Sequence, residues 1–340
     1  MEKILPEVKL GYGDLYEILI APIKLKLLLT SIELKVFNEL SKPKSADAVA
    51  KTLNTDPTNT RLFLDGLAAI DLLEKTKGLY KNSSIAQTFL IEGGPTYLGR
   101  ILPFLQPDAQ VFENLTKLVK EGPLPQPETP PFSEEAVAQG VVMMADAERA
   151  GYTQEAVKIV LELPEFPSFQ KMLDLGGGPG LIGMAIVAEH PNMKAINFDL
   201  PPVARKAKAY IREYGMEDRM EILVGDFNQD SIGEGYDLVW ASGVLQFAFD
   251  IDYIVKKVYE SLNPGGVFVS LYPFAHTHER TKPEPVILGL LSMALMGHEA
   301  GIERGYVADS MKRAGFKSVH SRNMDTLLGP MDLDIARKAS

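Results

Sequence analysis

Four glycines in five positions directly follow an apolar run in the stretch MLDLGGGPGL, residues 172–181. Glycine has no Cβ atom and therefore lets the backbone approach a ligand that any side chain would keep away. Such a loop between a strand and a helix is typical of nucleotide-binding sites, and Gly178, Gly180 and Gly183 even satisfy the GxGxxG pattern of dinucleotide-binding folds. The loop alone therefore does not identify the nucleotide.

Carboxylates lie at the ends of three strand-like segments in this region. Asp174 precedes the first glycine by two residues, Asp199 lies in NFDL, and Asp226 follows Gly225 in the next segment. A carboxylate pointed at the loop would repel a pyrophosphate but attract a positively charged amino-acid group. Asp199 can accept both hydroxyls of a ribose, and Asp226 with Phe227 offers an acceptor for an adenine amino group beside an aromatic ring. This pattern fits S-adenosylmethionine, a sulfonium nucleoside without phosphates, better than a dinucleotide.

Strand-like segments alternate with helical patterns from residue 171 onward. The strand-like segments read KMLDLGG, KAINFDL, MEILVGD, YDLVWAS and VFVSLYPF. This alternation predicts right-handed βαβ units and a doubly wound, Rossmann-like α/β sheet that binds ligands at the carboxyl ends of its strands. Two later segments, FKSVHSRNM and DLDIARK, lie on either side of Gly329-Pro330. They predict an antiparallel hairpin at the edge of a seven-stranded sheet.

The chain before this sheet has a mainly helical pattern. We expect a winged-helix domain with linking helices over 1–120 and an S-adenosylmethionine-binding catalytic domain over 121–340. In the first domain, three helical patterns precede two strand-like pieces that meet at a Lys-Gly turn, 77–78. Ser45 and Asp56 are the predicted N-caps of two of these helices.

A proline-rich segment, EGPLPQPETPPF at 121–132, follows the helical part. Five prolines in twelve residues restrict φ and remove backbone donors, so an irregular connector is predicted there. The pattern that follows predicts one continuous helix over 132–163, which Pro164 and Pro167 end.

Winged helices usually bind DNA, but the charge of this one argues against that role. Residues 1–95 contain 12 basic and 12 acidic residues, and the would-be recognition helix sets Arg61 against Asp65 and Asp71. Such a helix meets phosphates with no electrostatic gain. The apolar run ILIAPIKLKLLL at 18–29 favours a dimerisation module instead. We therefore expect a homodimer and no nucleic-acid partner.

Composition excludes several other classes of protein. The 340 residues carry a net charge of −10 and no cysteine, which rules out disulfides, zinc–thiolate sites, iron–sulfur clusters and a cysteine nucleophile. The first ten residues lack the apolar core of a signal peptide. The longest apolar stretch, 286–297, is shorter than the roughly 20 residues that a membrane span requires. We therefore expect a cytoplasmic protein without a membrane partner.

The pieces MLDLGGGPG, FDLPPVA, GDF, YESLNPGG and GIERGYVADSMKRAGF occur in this order. In this combination the chain resembles the class I S-adenosylmethionine-dependent methyltransferases. Over nearly its whole length it is similar to the small-molecule O-methyltransferases of the hydroxyindole and plant phenylpropanoid type. The resemblance implies S-adenosyl-L-methionine as cofactor, a small-molecule acceptor and a homodimer built by the N-terminal domain. It also implies cofactor contacts from Asp174, Gly176, Gly178, Asp199, Leu200, Asp226, Phe227, Arg149 and Met143.

The histidine that this resemblance would place in the active site is missing. In the plant-type enzymes a histidine followed by an aspartate, after the fourth strand, removes the proton of the acceptor hydroxyl, because a neutral hydroxyl is a poor nucleophile. Gln246 and Phe247 stand at these places. Glutamine cannot accept a proton at neutral pH, but it can hydrogen-bond an acceptor and orient it. We therefore predict that Gln246 positions the acceptor.

Further candidates lie on the acceptor side. His298 is the candidate for taking a proton, and Glu303 matches a family glutamate that steadies the missing histidine. The pattern His-x-His at 276–278 also permits a metal site, but no carboxylate or cysteine follows at ligand spacing, so we expect no metal. A largely apolar pocket for a hydrophobic acceptor is expected. Its candidate contacts are Met144, Phe247, Tyr272 and His276.

Several alternatives stay open. The acceptor can be a thiol, an acidic enol or phenol, or a carbon centre, so that proximity and orientation suffice without a base. Alternatively, methyl transfer has been lost and the cofactor serves as part of a pocket. Two other classes are a winged-helix regulator that senses the cofactor and an NAD-dependent oxidoreductase, of which Asp174 and the GDF piece disfavour the second.

Overall fold

The computed structural model forms two compact units, residues 1–104 and residues 105–340. The structure is described for residues 9–104, 113–122, 134–273, 302–326 and 329–340. The sequence predicts two domains that meet at residue 120, which lies inside the second unit. Each unit has its own buried core, so each is described by itself.

The first unit combines helices with a small antiparallel sheet. Its described helices are α1 Gly13–Glu33, α2 Val36–Glu39, α3 Ala46–Leu53, α4 Pro57–Ala69, α5 Ser84–Phe89 and α6 Ile101–Phe104. Strands β1 Lys44–Ser45, β2 Leu73–Thr76 and β3 Leu79–Asn82 pair in the order β1-β3-β2. This is the predicted winged-helix order, extended by the short strand β1.

Local signals in this unit act as the sequence predicts. Ser45 Oγ and Asp56 Oδ1 accept the backbone N–H groups three residues further on, at 3.3 and 2.7 Å, and so cap helices α3 and α4. Lys77 and Gly78 have φ of 51° and 79°, as a tight hairpin turn between β2 and β3 requires. The predicted caps and the predicted turn are therefore confirmed.

The second unit is built on a seven-stranded sheet in the order β6-β5-β4-β7-β8-β10-β9. Its strands are β4 Lys171–Leu175, β5 Lys194–Asp199, β6 Met220–Val224, β7 Tyr236–Ser242, β8 Leu262–Pro273, β9 Ser318–Thr326 and β10 Gly329–Arg337. Its described helices are α7 Leu115–Glu121, α8 Glu134–Ala147, α9 Thr153–Leu161, α10 Leu181–Ala188, α11 Pro201–Glu213, α12 Ile251–Ser261 and α13 Tyr306–Ala314. None of the described helices of either unit combines the length and apolar character needed to cross a membrane.

The sheet has the predicted doubly wound topology with an antiparallel hairpin at one edge. Neighbouring pairs among β4 to β8 run parallel, whereas β10 pairs antiparallel with both β8 and β9. Gly329 and Pro330 belong to β10 and do not lie between the two strands as predicted, because Pro330 already pairs with Asp325 of β9. Apolar side chains from both faces of the sheet are buried, as expected for parallel strands covered on both sides.

The single helix predicted over 132–163 is wrong, because the helix is interrupted between α8 and α9. Residues Glu148–Tyr152 form a π-type turn in which Gly151 has φ of 135°. Only glycine adopts such a φ without strain, and turns of this type often lie at functional sites. The interruption places Glu148 and Tyr152 in the interior, where both are about 95% buried.

We expect Gly151→Ala to destabilise the protein, because its backbone must leave the left-handed region or remain strained, at a cost of about 1–3 kcal/mol. The matched control is Gly140→Ala inside α8, where a Cβ atom would meet nothing within 4 Å. That substitution should stabilise the helix by about 0.5–1 kcal/mol. Urea unfolding measures whether the free energy of unfolding falls in Gly151→Ala and rises in Gly140→Ala. Equal changes in the two variants would contradict the assigned role of Gly151.

Candidate functional site

The glycine loop joins β4 to α10 at the carboxyl edge of the parallel strands. Gly176 and Gly178 have φ of 64° and 54°, in the left-handed region that favours glycine. A Cβ atom on Gly176 would overlap the side chain of Val244, and one on Gly177 would overlap Asn197. A Cβ atom on Gly178, by contrast, would meet no atom within 4 Å. The loop is therefore packed from beneath, while its backbone at Gly178 is open to a ligand.

Asp199 lies at the end of β5, beside the open part of the loop. Its Oδ2 accepts the Gly178 N–H at 2.9 Å, and its Oδ1 accepts the Leu200 N–H at 2.7 Å. Burial raises the pKa of this carboxyl, while the two N–H groups oppose the rise by stabilising the charged form. Each carboxylate oxygen can accept a further hydrogen bond, so this geometry suits the ribose contact predicted for Asp199. The exposed Leu200 side chain borders the same place.

Asp226 and Phe227 follow β6, the strand next to β5. The Gly225 N–H donates to the carbonyl of Asp199 at 3.1 Å, so the two loops are adjacent. The Asp226 Oδ1 accepts the backbone and side-chain N–H groups of Asn228 at 2.9 and 3.1 Å. Phe227 is half-buried and packs on one face of the sheet. The structure thus brings both residues near Asp199 but orients the Asp226 carboxylate within its own turn, and the adenine contact stays a prediction.

Two buried carboxyls lie beneath the loop at the start of α10. Asp174, 2% exposed, accepts the Gly183 N–H through Oδ2 at 3.0 Å. Glu148, 4% exposed, faces the backbone N–H groups of Leu181 and Ile182, which lower its pKa. Three consecutive N–H groups at the start of the helix are therefore directed at carboxyls of the protein itself.

This arrangement argues against a dinucleotide. In dinucleotide-binding folds the free N–H groups at the helix start hold the pyrophosphate. Here those groups face the buried carboxyls of Asp174 and Glu148, so they are not free to hold a phosphate, and the acidic side chains disfavour a further negative charge nearby. The Asp174 carboxyl lies against the loop at Gly177 and accepts the Gly183 N–H, and its predicted contact with the cofactor stays a prediction.

Both carboxyls are shifted toward their neutral forms. Burial raises the pKa of Asp174 to about 7, the Gly183 N–H opposes this shift, and the charge of Asp199 adds to it. Burial also raises the pKa of Glu148 well above its usual range, and the neighbouring charge of Asp174 raises it further. Perturbed carboxyl groups of this kind cluster at functional sites.

Glu148 and Tyr152 were not among the residues predicted from the sequence. The Tyr152 hydroxyl and Ser242 Oγ, at the end of β7, are hydrogen-bonded at 2.5 Å. The sequence does contain a signal for Glu148, because this carboxylate interrupts an otherwise apolar set of residues at helical spacing. The set is Val141, Ala145, Glu148, Tyr152 and Ala156, all of them buried.

The helix before the first sheet strand carries the other predicted cofactor contacts. Arg149 donates from Nε to the Tyr214 hydroxyl at 2.9 Å, and its guanidinium lies 5.0 Å from the ring centre of Tyr210. It is thus held against α11. Met143 is half-buried and Met144 is exposed. Their predicted contacts with cofactor and acceptor stay predictions.

The acceptor side begins directly after β7. Gln246 and Phe247 are exposed in the short helical turn Leu245–Phe247. Val244, at the start of this turn, packs against Gly176 of the glycine loop. Gln246 therefore lies two residues from a direct contact with the cofactor loop.

The other residues predicted on the acceptor side do not all lie beside the glycine loop. Tyr272 is 1% exposed and pairs across the sheet with Asp332, so its side chain is in the core. Burial raises its pKa. Glu303 is exposed, and its carbonyl accepts the Tyr306 N–H at the start of α13. His276 and His298 lie outside the described residues, so their predicted roles stay predictions.

Two family models match the chain, one in each of its two units. Residues 137–317 match the O-methyltransferase domain, and residues 17–92 match the O-methyltransferase dimerisation domain. The chain belongs to this O-methyltransferase family. It is an S-adenosylmethionine-dependent methyltransferase, and the fold and cofactor predicted from the sequence are confirmed.

Individual relatives agree with this membership. Acetylserotonin O-methyltransferase of Bos taurus is 27% identical, over 96% of this chain and 98% of its own. The N,N-dimethyltransferase OxyT of Streptomyces rimosus is 28% identical, over 89% of this chain and 90% of its own. The crystal structure of human N-acetylserotonin methyltransferase in complex with S-adenosylmethionine superposes with a TM-score of 0.79, at 22% identity, covering 99% of this chain and 100% of that one. The last comparison shows a shared fold.

Proposed function

We propose that this methyltransferase acts on an oxygen, sulfur or carbon atom of a hydrophobic small molecule and uses no histidine base at position 246. The observation that carries the proposal is the exposed amide of Gln246, in a turn that packs through Val244 on Gly176. An acceptor held by Gln246 lies beside the loop that binds the methyl donor. Since a glutamine cannot take a proton, the acceptor gives its proton to another group such as His298, loses it easily, or has none to lose.

The residues of the chain fit the methyl donor. The open backbone at Gly178 and the Asp199 carboxylate suit a nucleoside, while the acidic residues under the loop disfavour phosphates. When bound, S-adenosylmethionine supplies a methyl group activated by its sulfonium charge. The protein binds the nucleoside at Asp199, orients the acceptor at Gln246 and keeps the two close together, which by itself accelerates a transfer greatly.

The acceptor surface is apolar. Phe247 and Phe249 are 59% and 84% exposed after β7, and Met144 is 42% exposed on the helix that leads to Glu148. Exposed large apolar side chains of this kind are typical of ligand sites. Relatives named for acetylserotonin and for tetracenomycin polyketide synthesis support a small-molecule acceptor.

We expect Gln246→Ala to keep measurable activity. Loss of a positioning amide should lower the rate by less than the factor of about 10²–10⁴ that a general base contributes. Transfer of labelled methyl groups to a panel of thiols, phenols and enols measures this, with the exposed Gln154→Ala as matched control. A loss above that range would contradict the assignment.

The pH profile tests the base separately. A rate that rises through a pKa of about 6 to 7 and loses this rise in His298→Ala would assign proton removal to His298. We expect that result for a hydroxyl acceptor. For a thiol or carbon acceptor we expect His298→Ala to leave the profile unchanged.

We also infer that the protein is a homodimer assembled through its N-terminal unit. Helix α1 presents an apolar stripe at helical spacing, in which Leu15, Ile18, Leu19 and Ile23 are each at least 60% exposed. Ile18, Leu19 and Ile23 lie at the start of residues 17–92, the region that matches the dimerisation domain, and Leu15 lies just before it. A cytoplasmic location remains a prediction from the sequence.

Introducing charge into this stripe should dissociate the dimer. We expect the double substitution Ile18→Glu and Ile23→Glu to give monomers at micromolar concentration in light scattering, because two buried charges oppose association. Leu161→Glu on α9, where Leu161 is 52% exposed and lies outside residues 1–120, is the matched control and should stay dimeric. A monomeric unsubstituted protein would refute the inference.

A further inference from the structure

Glu148 and Asp174 occupy one buried layer directly under the glycine loop. They come from different elements, the π-type turn before α9 and the strand β4, and face three consecutive N–H groups of α10. A Cβ atom on Gly177 would lie 2.7 Å from the Asp174 Cγ. Only the backbone of the loop therefore lies between these two carboxyls and the face of the loop that is open at Gly178.

The layer contains more polar atoms than hydrogen bonds to satisfy them. Asp174 pairs across the sheet with Asn197 on β5 and Trp240 on β7. Within the described part of the chain, the following buried atoms of the layer have no hydrogen-bond partner: Glu148 Oε2, Asn197 Oδ1, Asn197 Nδ2 and Trp240 Nε1. Two adjacent ionised carboxyls in such a place are strongly disfavoured, and one shared proton removes the repulsion.

We propose that Glu148 and Asp174 hold one proton between them and that binding of positively charged S-adenosylmethionine expels it, so that the pair favours the charged methyl donor over the neutral thioether product. This inference rests on the proposed function. The O–H bond of one carboxyl breaks, its electron pair stays on the carboxylate, and the proton passes to water. After methyl transfer the sulfur is neutral, the pair takes up a proton again, and the product is held less tightly.

The surrounding charges support this behaviour. Asp199 raises the pKa of Asp174, whose value of about 7 lies where a nearby positive charge changes its ionisation. Arg149 lowers the pKa of Glu148, but its Nε is directed to Tyr214. The Tyr152 hydroxyl, also near Glu148, has a raised pKa and stays neutral. Asp199, at the open part of the loop, also has a raised pKa, so a variant that removes the pair must assign the release to it.

Calorimetry in two buffers of different ionisation enthalpy measures the proton directly. At about pH 6.5 the α-amino groups of both ligands are protonated. There we expect S-adenosylmethionine to release about 0.5 proton or more per site and S-adenosylhomocysteine clearly less. In Asp174→Asn the carboxyl whose pKa is about 7 is absent, and burial keeps Glu148 neutral, so the release should disappear. Glu155→Gln, about one turn beyond Tyr152, is the matched control and should release as the unsubstituted protein does.

The outcomes separate this inference from the proposed function. If neither ligand binds, the proposed function fails. If S-adenosylmethionine binds without proton release, or if Asp174→Asn releases as many protons as the unsubstituted protein, this inference fails alone. If Asp174→Asn does not fold, measurements on the unsubstituted protein alone test the inference. Its preference for S-adenosylmethionine over S-adenosylhomocysteine should rise about threefold or more between about pH 5.5 and 7, and a constant preference overturns the inference.

Discussion

Asp199→Ala is expected to weaken S-adenosylhomocysteine binding tenfold or more. The Asp199 carboxylate is predicted to accept the ribose hydroxyls, and charge-assisted hydrogen bonds contribute about 1.5–3 kcal/mol each. The substitution also leaves the Gly178 N–H without the acceptor that holds it at 2.9 Å. Both effects act on the part of the loop where the backbone is open. Isothermal titration calorimetry of the purified protein measures the loss.

Two controls make this result specific. Asp218→Ala removes an exposed carboxylate in the turn between α11 and β6 and should leave the affinity unchanged. Asp199→Asn keeps the side-chain shape and part of the hydrogen bonding, so its affinity should fall between those of the unsubstituted and alanine proteins. Unchanged binding in Asp199→Ala, or tight NAD binding by the unsubstituted protein, would contradict the assigned ribose contact.

Gly178→Ala is expected to lower ligand affinity more than stability, and Gly176→Ala is expected to lower stability strongly. At Gly178 the added methyl group meets nothing in the protein, so stability should fall only by the backbone cost of about 1–2 kcal/mol. If the ligand approaches Gly178 as predicted, the added methyl group collides with it, and S-adenosylhomocysteine affinity should fall by about a hundredfold. Titration calorimetry and urea unfolding measure the two quantities on the same samples.

At Gly176 the methyl group overlaps Val244, and φ is also unfavourable, so unfolding free energy should fall by about 3 kcal/mol or more. Gly176→Ala combined with Val244→Ala should recover part of this stability, because the overlap is removed while the strained φ remains. A Gly178→Ala protein that binds normally would show that the ligand does not approach the loop there.

The sequence alone predicted the structure correctly where interactions between residues close together in the chain determine it. The glycines after an apolar strand, the capping residues Ser45 and Asp56, and the Lys-Gly turn at 77–78 each act through atoms a few residues apart. Alternating strand and helix patterns likewise restrict the topology to a doubly wound sheet, because crossover connections are right-handed. The cofactor class followed from carboxylates at the ends of successive strands, which any parallel sheet brings to one edge.

Only the tertiary structure decided where the acidic residues point and what they contact. Asp174 precedes the loop in sequence, yet its carboxyl lies beneath it, because the start of α10 offers N–H groups on that side. Glu148 precedes Asp174 by 26 positions and lies near it beneath the loop. The helix that carries Glu148 is interrupted at Gly151, which the helical pattern did not reveal. Burial, the pKa shifts it causes and the meeting of distant side chains depend on long-range packing. Local spacing in the sequence does not specify that packing.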